Sequence, residues 1–260
     1  MKNNIRKIHW ILSAQFGIDL RRLVRSLAGI PRYVVAWLRF RKNYQGRLDF
    51  LPCLSDWHEE GGTTQTEYFL QDLHVARAIH QAGPQRHVDI GSRIDGFVAH
   101  LASFRDVEVF DIRPVTSVIE GVVFRQADLM NPPESLADYC DSLSCLHALE
   151  HFGLGRYGDP IDPLGYVAGF ENMVKIIRPL GTFYLAVPVG QERVEFNAHR
   201  VFNPLKLVQL AADNGLTLKA LAWVGSEHKL MEAAELQREL SVLSGLDYSL
   251  GIFTFMKSKY

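Results

Sequence analysis

Apolar positions along the chain change period twice, and each change marks a different kind of element. Over 18–29, Leu20, Leu23, Val24 and Leu27 fall at helical spacing with Arg21, Arg22 and Arg25 between them. Pro31 suits the first turn of a second helix running through Tyr33, Val34, Trp37, Leu38 and Phe40. Residues 48–63, LDFLPCLSDWHEEGGT, have no period and read as an irregular connector. Thr66 to about Ala82 predict a helix with Phe69, Leu73, Ala76 and Ile79 on one face, stopped by Gly83-Pro84.

Beyond that stop the pattern alternates. Short β-rich runs at 86–90, 106–111, 121–125, 140–146 and 181–187 are separated by stretches long enough for helices. Val98–Phe104 and Tyr166–Ile177 are the clearest of these, the second closing on Arg178-Pro179-Leu180-Gly181. A helix at Pro204–Asn214 precedes the run LTLKALAWVG, an acidic helical insert at 231–243 and a last β-like run, SLGIFTFMK. Such alternation predicts an α/β chain with a doubly wound, mostly parallel seven-stranded sheet. Two late strands joined by more than a tight turn fit an antiparallel addition at one side, the last strand being antiparallel. The expected domains are a helical extension at 1–50 and an α/β domain at 51–260.

Charge divides the chain in the same place. Residues 1–47 hold eleven Lys and Arg against one acid, Asp19, a net of +10; the remainder holds 17 bases and 28 acids, a net of −11. The extension is therefore expected to meet an anionic partner, on this protein or outside it. Three cysteines, Cys53, Cys140 and Cys145, cannot all pair within the chain and form no CxxC, which fits a reduced, cytoplasmic setting. No apolar run approaches the ~20 residues that span a bilayer, and the start lacks a convincing cleavage site, so a soluble or peripheral protein is expected.

Candidate chemistry begins at residues 87–97, HVDIGSRIDGF. In doubly wound sheets ligands sit outside the carboxyl ends of the strands, and the first strand commonly supplies the loop. A dinucleotide site wants GxGxxG, and Arg93 stands where the second glycine would be. S-adenosylmethionine has no phosphates to cradle. It wants an acid, Asp89, towards its ammonium group, and a glycine, Gly91, where backbone passes close to the adenosyl moiety; Arg93 would reach the methionine carboxylate or point to solvent. Asp111 ends the next strand 22 residues on, where a carboxylate holds two ribose hydroxyls. Asp128, after the third strand, would accept from the adenine amino group or form an Asx turn. The candidate cofactor set is Asp89, Gly91, Ser92, Arg93, Asp111, Ile112, Asp128 and Leu129, with no metal site.

Residues 147–151, HALEH, satisfy the zinc motif H-x-x-E-H, in which His147 and His151 would bind metal and Glu150 serve as base. The run before it, DSLSCLHAL, reads as a buried strand and not a helix interior, which argues against that chemistry. At the end of a fourth strand these residues would face the transferred methyl group. A sugar hydroxyl is a poor nucleophile and needs a general base, so His147, Glu150, His151 and His199 are the catalytic candidates. Asp159 and Asp162 in GRYGDPIDP would carry a divalent metal, bind sugar hydroxyls or form turns.

The run from HVDIGSRIDGF through FDIRP, ADL, LEHF, RPLGTFYLAVPVG and FNAHRVFNP resembles a class I S-adenosylmethionine-dependent methyltransferase with a Rossmann-like sheet. More narrowly, YFLQDLHVARAI, HVDIGSRIDGFVAHL and SCLHALEHFGLGRYGDPIDP resemble a bacterial methyltransferase-like family of unassigned function met in surface-polysaccharide (O-antigen and capsule) gene clusters. The resemblance covers about residues 50–260. It implies cofactor contacts at Asp89, Gly91, Asp111 and Asp128, and an acceptor side built from HALEHF and FNAHR. The expected activity is O-methylation of a sugar of a surface polysaccharide or its lipid-linked precursor; the alternative is a catalytically silent scaffold module. Arginines interleaved with Trp10, Tyr33, Trp37 and Tyr44 match a helix on an anionic lipid surface at the inner face of the membrane, or a helical cap on an acidic domain or second subunit. No nucleic-acid reader motif accompanies the charge.

Overall fold

The computed structural model describes residues 2–59, 61–64 and 66–259. Glu60 of the connector lies outside the described residues, as do the side chains of Lys2, Arg6 and Lys7 from the basic count. The chain divides into two units, Met1–Thr63 and Thr64–Tyr260.

The first unit carries two helices, α1 (Lys2–Phe16) and α2 (Leu20–Asn43). Asp19 starts α2 by accepting from the backbone N–H groups of Arg21 and Arg22 at 2.9 and 3.1 Å. Pro31 lies inside α2 and does not begin a separate helix. The helix runs through the single lost N–H bond, with hydrogen-bonded turns on both sides of it. The connector groups with this unit. Phe50 meets the edge of Tyr33 at 5.3 Å, the Arg32 guanidinium lies 3.2 Å from the Trp57 ring centroid, and Gly29 leaves room for the Leu54 carbonyl.

In the second unit, α3 (Glu67–Ala82) is capped by the Thr66 hydroxyl and ended by Gly83 at φ +56°, a left-handed turn that glycine adopts freely. Its buried face is Asp72, Val75, Ala76 and Ile79; Phe69 is exposed, so the face is turned from the one the apolar spacing predicts. Strands follow at β1 (His87–Ile90), β2 (Val107–Asp111), β3 (Val122–Gln126), β4 (Cys140–Leu146), β5 (Ile177–Val189), β6 (Arg193–Glu195), β7 (His199–Val201), β8 (Leu216–Val224), β9 (Leu230–Glu232) and β10 (Ser249–Lys257). Helices α4 (Ala99–Ala102), α5 (Gly165–Ile176), α6 (Pro204–Asp213) and α7 (Leu236–Gly245) complete the unit.

The main sheet has the order β3-β2-β1-β4-β5-β10-β8-β9. Strands β1 to β5 pair in parallel, and β10 runs antiparallel to both β5 and β8. The last strand is thus threaded between two others and is not added at the edge. The seven expected strands are present, and short β9 joins as an eighth where the acidic insert was read as helical. That insert begins helical only at Leu236. No helix separates β2 from β3. One face of the sheet packs Val88, Ile90, Leu143 and Phe183 with Phe170, Met173, Leu207 and Leu240 from α5, α6 and α7. The other packs Val109, Leu146, Ala186 and Ile252 with Val75 and Ile79 of α3 and with Phe97, Val98 and Leu101. Burial on both faces is what makes β1, β2 and β4 near-continuous apolar runs.

Candidate active site

The order reverses between β1 and β4, so the crevice at their carboxyl ends is the expected ligand position. The period of two along β1 puts His87 and Asp89 on one face, opposite Ser142 and Ser144 of β4 in register. Asp89 is fully buried and faces inward. Its Oδ1 accepts from the Ser144 hydroxyl at 2.6 Å and the Ser92 hydroxyl at 2.7 Å, and its Oδ2 accepts from the Ser92 N–H at 3.1 Å. Burial outweighs these bonds and pushes its carboxyl up to about 7. Asp89 therefore fastens the loop to the sheet, with Ser92 as its buried partner.

Gly91 sits at φ +69°, its N–H bonded to the Phe110 carbonyl at 2.9 Å, and a Cβ there would lie 2.9 Å from the Ala148 methyl. The turn requires glycine because both backbone angle and space exclude a side chain. Arg93, the residue that breaks the dinucleotide pattern, is exposed and forms a two-bond pair with Asp95 at 3.0 and 2.7 Å. Asp111 ends β2 with its side chain 9% exposed and is gripped by Arg113: Nε lies 3.0 and 3.2 Å from its two oxygens, and Nη2 lies 2.5 Å from Oδ2. The same Nη2 donates to the Gly91 carbonyl at 3.2 Å, so Arg113 ties the two loops together. Asp128 makes an Asx turn with the Met130 N–H at 2.9 Å, Leu129 is buried, and Ile112 accepts from Gln126 through its carbonyl.

HALEH follows β4 as a 3₁₀ turn at Leu149–His151, with His147 at φ +53°, so the two histidines do not share a helix face. Among the described residues no group of three or more His, Cys, Asp or Glu side chains is placed to hold a metal. His147 Nδ1 lies 3.0 Å from Glu150 Oε1, and its ring stacks on Tyr68 at 4.4 Å. Both residues are buried, and His147 Nε2 and Glu150 Oε2 have no hydrogen-bond partner among the described residues. Burial alone would lower the His147 pKa, but the bond and charge of Glu150, with Glu67 and Asp72, raise it. Glu150 is lowered in turn, its burial outweighed by His147 and His151. Each shift favours the charged form of its group.

His151 is different. Its Nδ1 lies 2.7 Å from the Ala198 carbonyl, which places the proton there and the lone pair on Nε2, 3.8 Å from Glu150 Oε1. Burial lowers its pKa, so the imidazole is neutral at neutral pH. His199 reaches the same end of the sheet through the β6–β7 hairpin, its pKa also lowered by burial, with its ring 6.3 Å from that of Tyr248. Arg200 is buried and donates to the carbonyls of Phe152 and Pro163 at 2.5 and 3.3 Å, anchoring the segment after HALEH. Asp159 and Asp162 are turn residues, accepting from the backbone N–H groups of Gly155 and Tyr157, and of Leu164.

Four participants had little signal in the sequence. Tyr157 stacks on the Arg113 guanidinium at 4.7 Å and meets His151 edge-on at 5.4 Å, joining the Asp111 end of the crevice to the histidines. Glu67 and Tyr68 come from the start of α3, and Tyr248, from just before β10, donates to Glu67 at 2.8 Å. Arg113 stands two residues after Asp111, and nothing in the sequence announces its grip on that carboxylate.

Residues 121–238 match a family model described as "Caenorhabditis protein of unknown function, DUF268". No curated protein matches the chain. Among solved structures, the chain is similar to the 1,6-didemethyltoxoflavin-N1-methyltransferase of Burkholderia thailandensis, solved with 1,6-didemethyltoxoflavin and S-adenosylhomocysteine: TM-score 0.53, 16% identity, 88% of this chain and 90% of that one. It is also similar to the [4+2]-cyclase SpnF (TM-score 0.51, 13% identity, 71% and 81% covered). The N-methyltransferase NodS of Bradyrhizobium japonicum WM9 aligns at TM-score 0.50 and 14% identity, over 72% and 94%. The chain has a Rossmann-like methyltransferase fold. A cyclase among the neighbours is a reminder that the fold leaves the reaction to the site.

Proposed function

We propose that this chain is an S-adenosylmethionine-dependent methyltransferase that O-methylates a sugar of a bacterial surface polysaccharide or its lipid-linked precursor. The fold and the sequence resemblance support the class of reaction. The observation that carries the reading is the contact chain from Asp111 through Arg113 and Tyr157 to His151, Glu150 and His147, a cofactor-side acid joined to a buried acid–base cluster.

The donor set fits an adenosyl cofactor on one condition. Asp111, at the end of β2, is the carboxylate suited to two ribose hydroxyls, and Gly91 keeps the first loop free of a side chain. Arg113 must leave Asp111 for those hydroxyls to enter. It is 41% exposed and belongs to a connection without regular structure, so its release breaks no helix or strand. S-adenosylmethionine supplies a methyl group already activated on a sulfonium, which leaves alignment and deprotonation to the protein. His151, neutral and with its lone pair on Nε2, takes the proton of the acceptor hydroxyl. The Glu150 carboxylate beside it stabilises the imidazolium that forms, and His147 holds Glu150 in place. Glu150 Oε2, which has no hydrogen-bond partner among the described residues, is suited to a hydroxyl of a polyol acceptor.

A catalytically silent binding module is the second reading, favoured by Arg113 on Asp111 and by the inward-facing Asp89. Methyl-tritiated S-adenosylmethionine, incubated with the full chain and a lipopolysaccharide or capsular glycan fraction, separates the two. Label in the glycan, lost in His151→Ala, supports the enzyme; cofactor binding without label in any glycan tested supports the silent module.

A further inference from the structure

Helix α2 has no buried residue and is covered only in part, on its less apolar side. Its partly covered positions are Ser26, Gly29, Tyr33 and Trp37, a single face that meets the connector. The opposite stripe is more apolar and is left in solvent: Leu20, Val24, Leu27, Val34 and Leu38 are 51%, 66%, 57%, 45% and 51% exposed. These positions recur at intervals of three, four and seven, so they share one face of the helix. Beside them, Arg21, Arg25, Arg32 and Arg39 form a row at intervals of four and seven along the flank. Residues 20–43 hold seven Lys and Arg and no acid. An open hollow of about 380 Å³ beside the row is lined by Pro31, Arg32, Val35, Ala36 and Arg39.

We propose that α2 docks this protein on an anionic phospholipid surface, lying in the plane of the interface. The stripe enters the acyl boundary, and Arg21, Arg25 and Arg39 of the row pair with lipid phosphates. An apolar stripe bordered by bases is the pattern such a surface selects, since each half supplies what the other lacks. No helix among the described residues is long and apolar enough to cross a membrane, so the contact is peripheral. The aromatics have a different part from the one expected: Tyr33 and Trp37 face the connector, and Trp10 and Tyr44, at 49% and 42%, are the exposed ones. Docking stands apart from the methyl-transfer reading, and either can fail alone.

The test is co-sedimentation of the full chain with vesicles of phosphatidylcholine alone and of phosphatidylcholine with phosphatidylglycerol, alongside Arg21→Gln/Arg25→Gln and Leu27→Gln/Val34→Gln. All four positions are exposed, and circular dichroism checks that helix content is retained. Binding to the anionic vesicles is expected, weakened on the order of fivefold per arginine removed, and abolished by the stripe variant. Absence of vesicle binding, or equal binding to both vesicle types, would overturn the proposal. So would a concentration-dependent dimer lost in the arginine variant without vesicle binding, which would make the acidic unit of a second copy the partner.

Discussion

Asp89→Asn should change how the stability of the α/β unit depends on pH, and the size of the change follows from one strand. His87 and Asp89 are both fully buried in β1 and are linked through Ser144, with His87 Nε2 3.0 Å from the Ser144 hydroxyl. Burial pushes the His87 imidazole down to about 3 from 6.5 and the Asp89 carboxyl up to about 7 from 3.8. As pH falls from 6.5 to 3 the unfolded chain gains a proton at His87 that the folded chain refuses, so His87 makes stability fall with acid. Asp89 acts in the opposite sense: between 3.8 and 7 the folded chain keeps a proton that the unfolded chain loses, so its contribution is present at low pH and fades as pH rises. Integrated from pH 4 to 6, each term is about 2.4 kcal/mol, and they cancel. Asparagine keeps an acceptor for Ser144 and removes the titration. In urea denaturation followed by circular dichroism, stability of the variant relative to wild type should rise by about 2.4 kcal/mol from pH 4 to pH 6. Curves that stay parallel to within about 1 kcal/mol would refute the buried, protonated Asp89.

Other expectations rest on single contacts. Gly91→Ala should cost about 2 kcal/mol by thermal or urea unfolding, from a strained left-handed angle and a 2.9 Å approach to the Ala148 methyl, and Ala148→Gly should recover only the second part. Arg113→Ala should tighten S-adenosylhomocysteine about fivefold in calorimetry, because a half-exposed two-bond ion pair holding Asp111 is worth about 1 kcal/mol of the closed state; weaker binding would make Arg113 a ligand instead of a latch. With burial lowering His151, methyl transfer should persist below pH 6.5 before protonation removes the base, and the acid limb should move up when Glu150 is left and His151 is made more exposed by Tyr157→Ala.

The sheet was legible because its strands are buried on both faces. His87–Ile90, Val107–Asp111 and Cys140–Leu146 appear as compact apolar runs between turn residues, within a residue or so of where they lie. Three-residue β9 and the β6–β7 hairpin were not, since so short a run carries no period. Polar burial misled in α3, where Gln71 and Asp72 take inside positions that spacing gave to Phe69 and Leu73. In the site, Asp111 was visible as an acid after an apolar run, but its occupation by Arg113 depends on a side-chain geometry that spelling does not show. Arg93 had the simplest outcome: its partner, Asp95, is two residues away. Glu67, Tyr68 and Tyr248 reach His147 and Glu67 only through chain topology, from sequence positions far from HALEH, and no local pattern announces them.

The central claim is that Asp111 is a cofactor carboxylate. Titration calorimetry of the full chain with S-adenosylhomocysteine, wild type beside Asp111→Ala, addresses it directly. Binding by the wild type and a loss of at least about tenfold in the variant are predicted, since two hydroxyl bonds to a carboxylate are removed. No binding by the wild type, or equal binding by both, would contradict it.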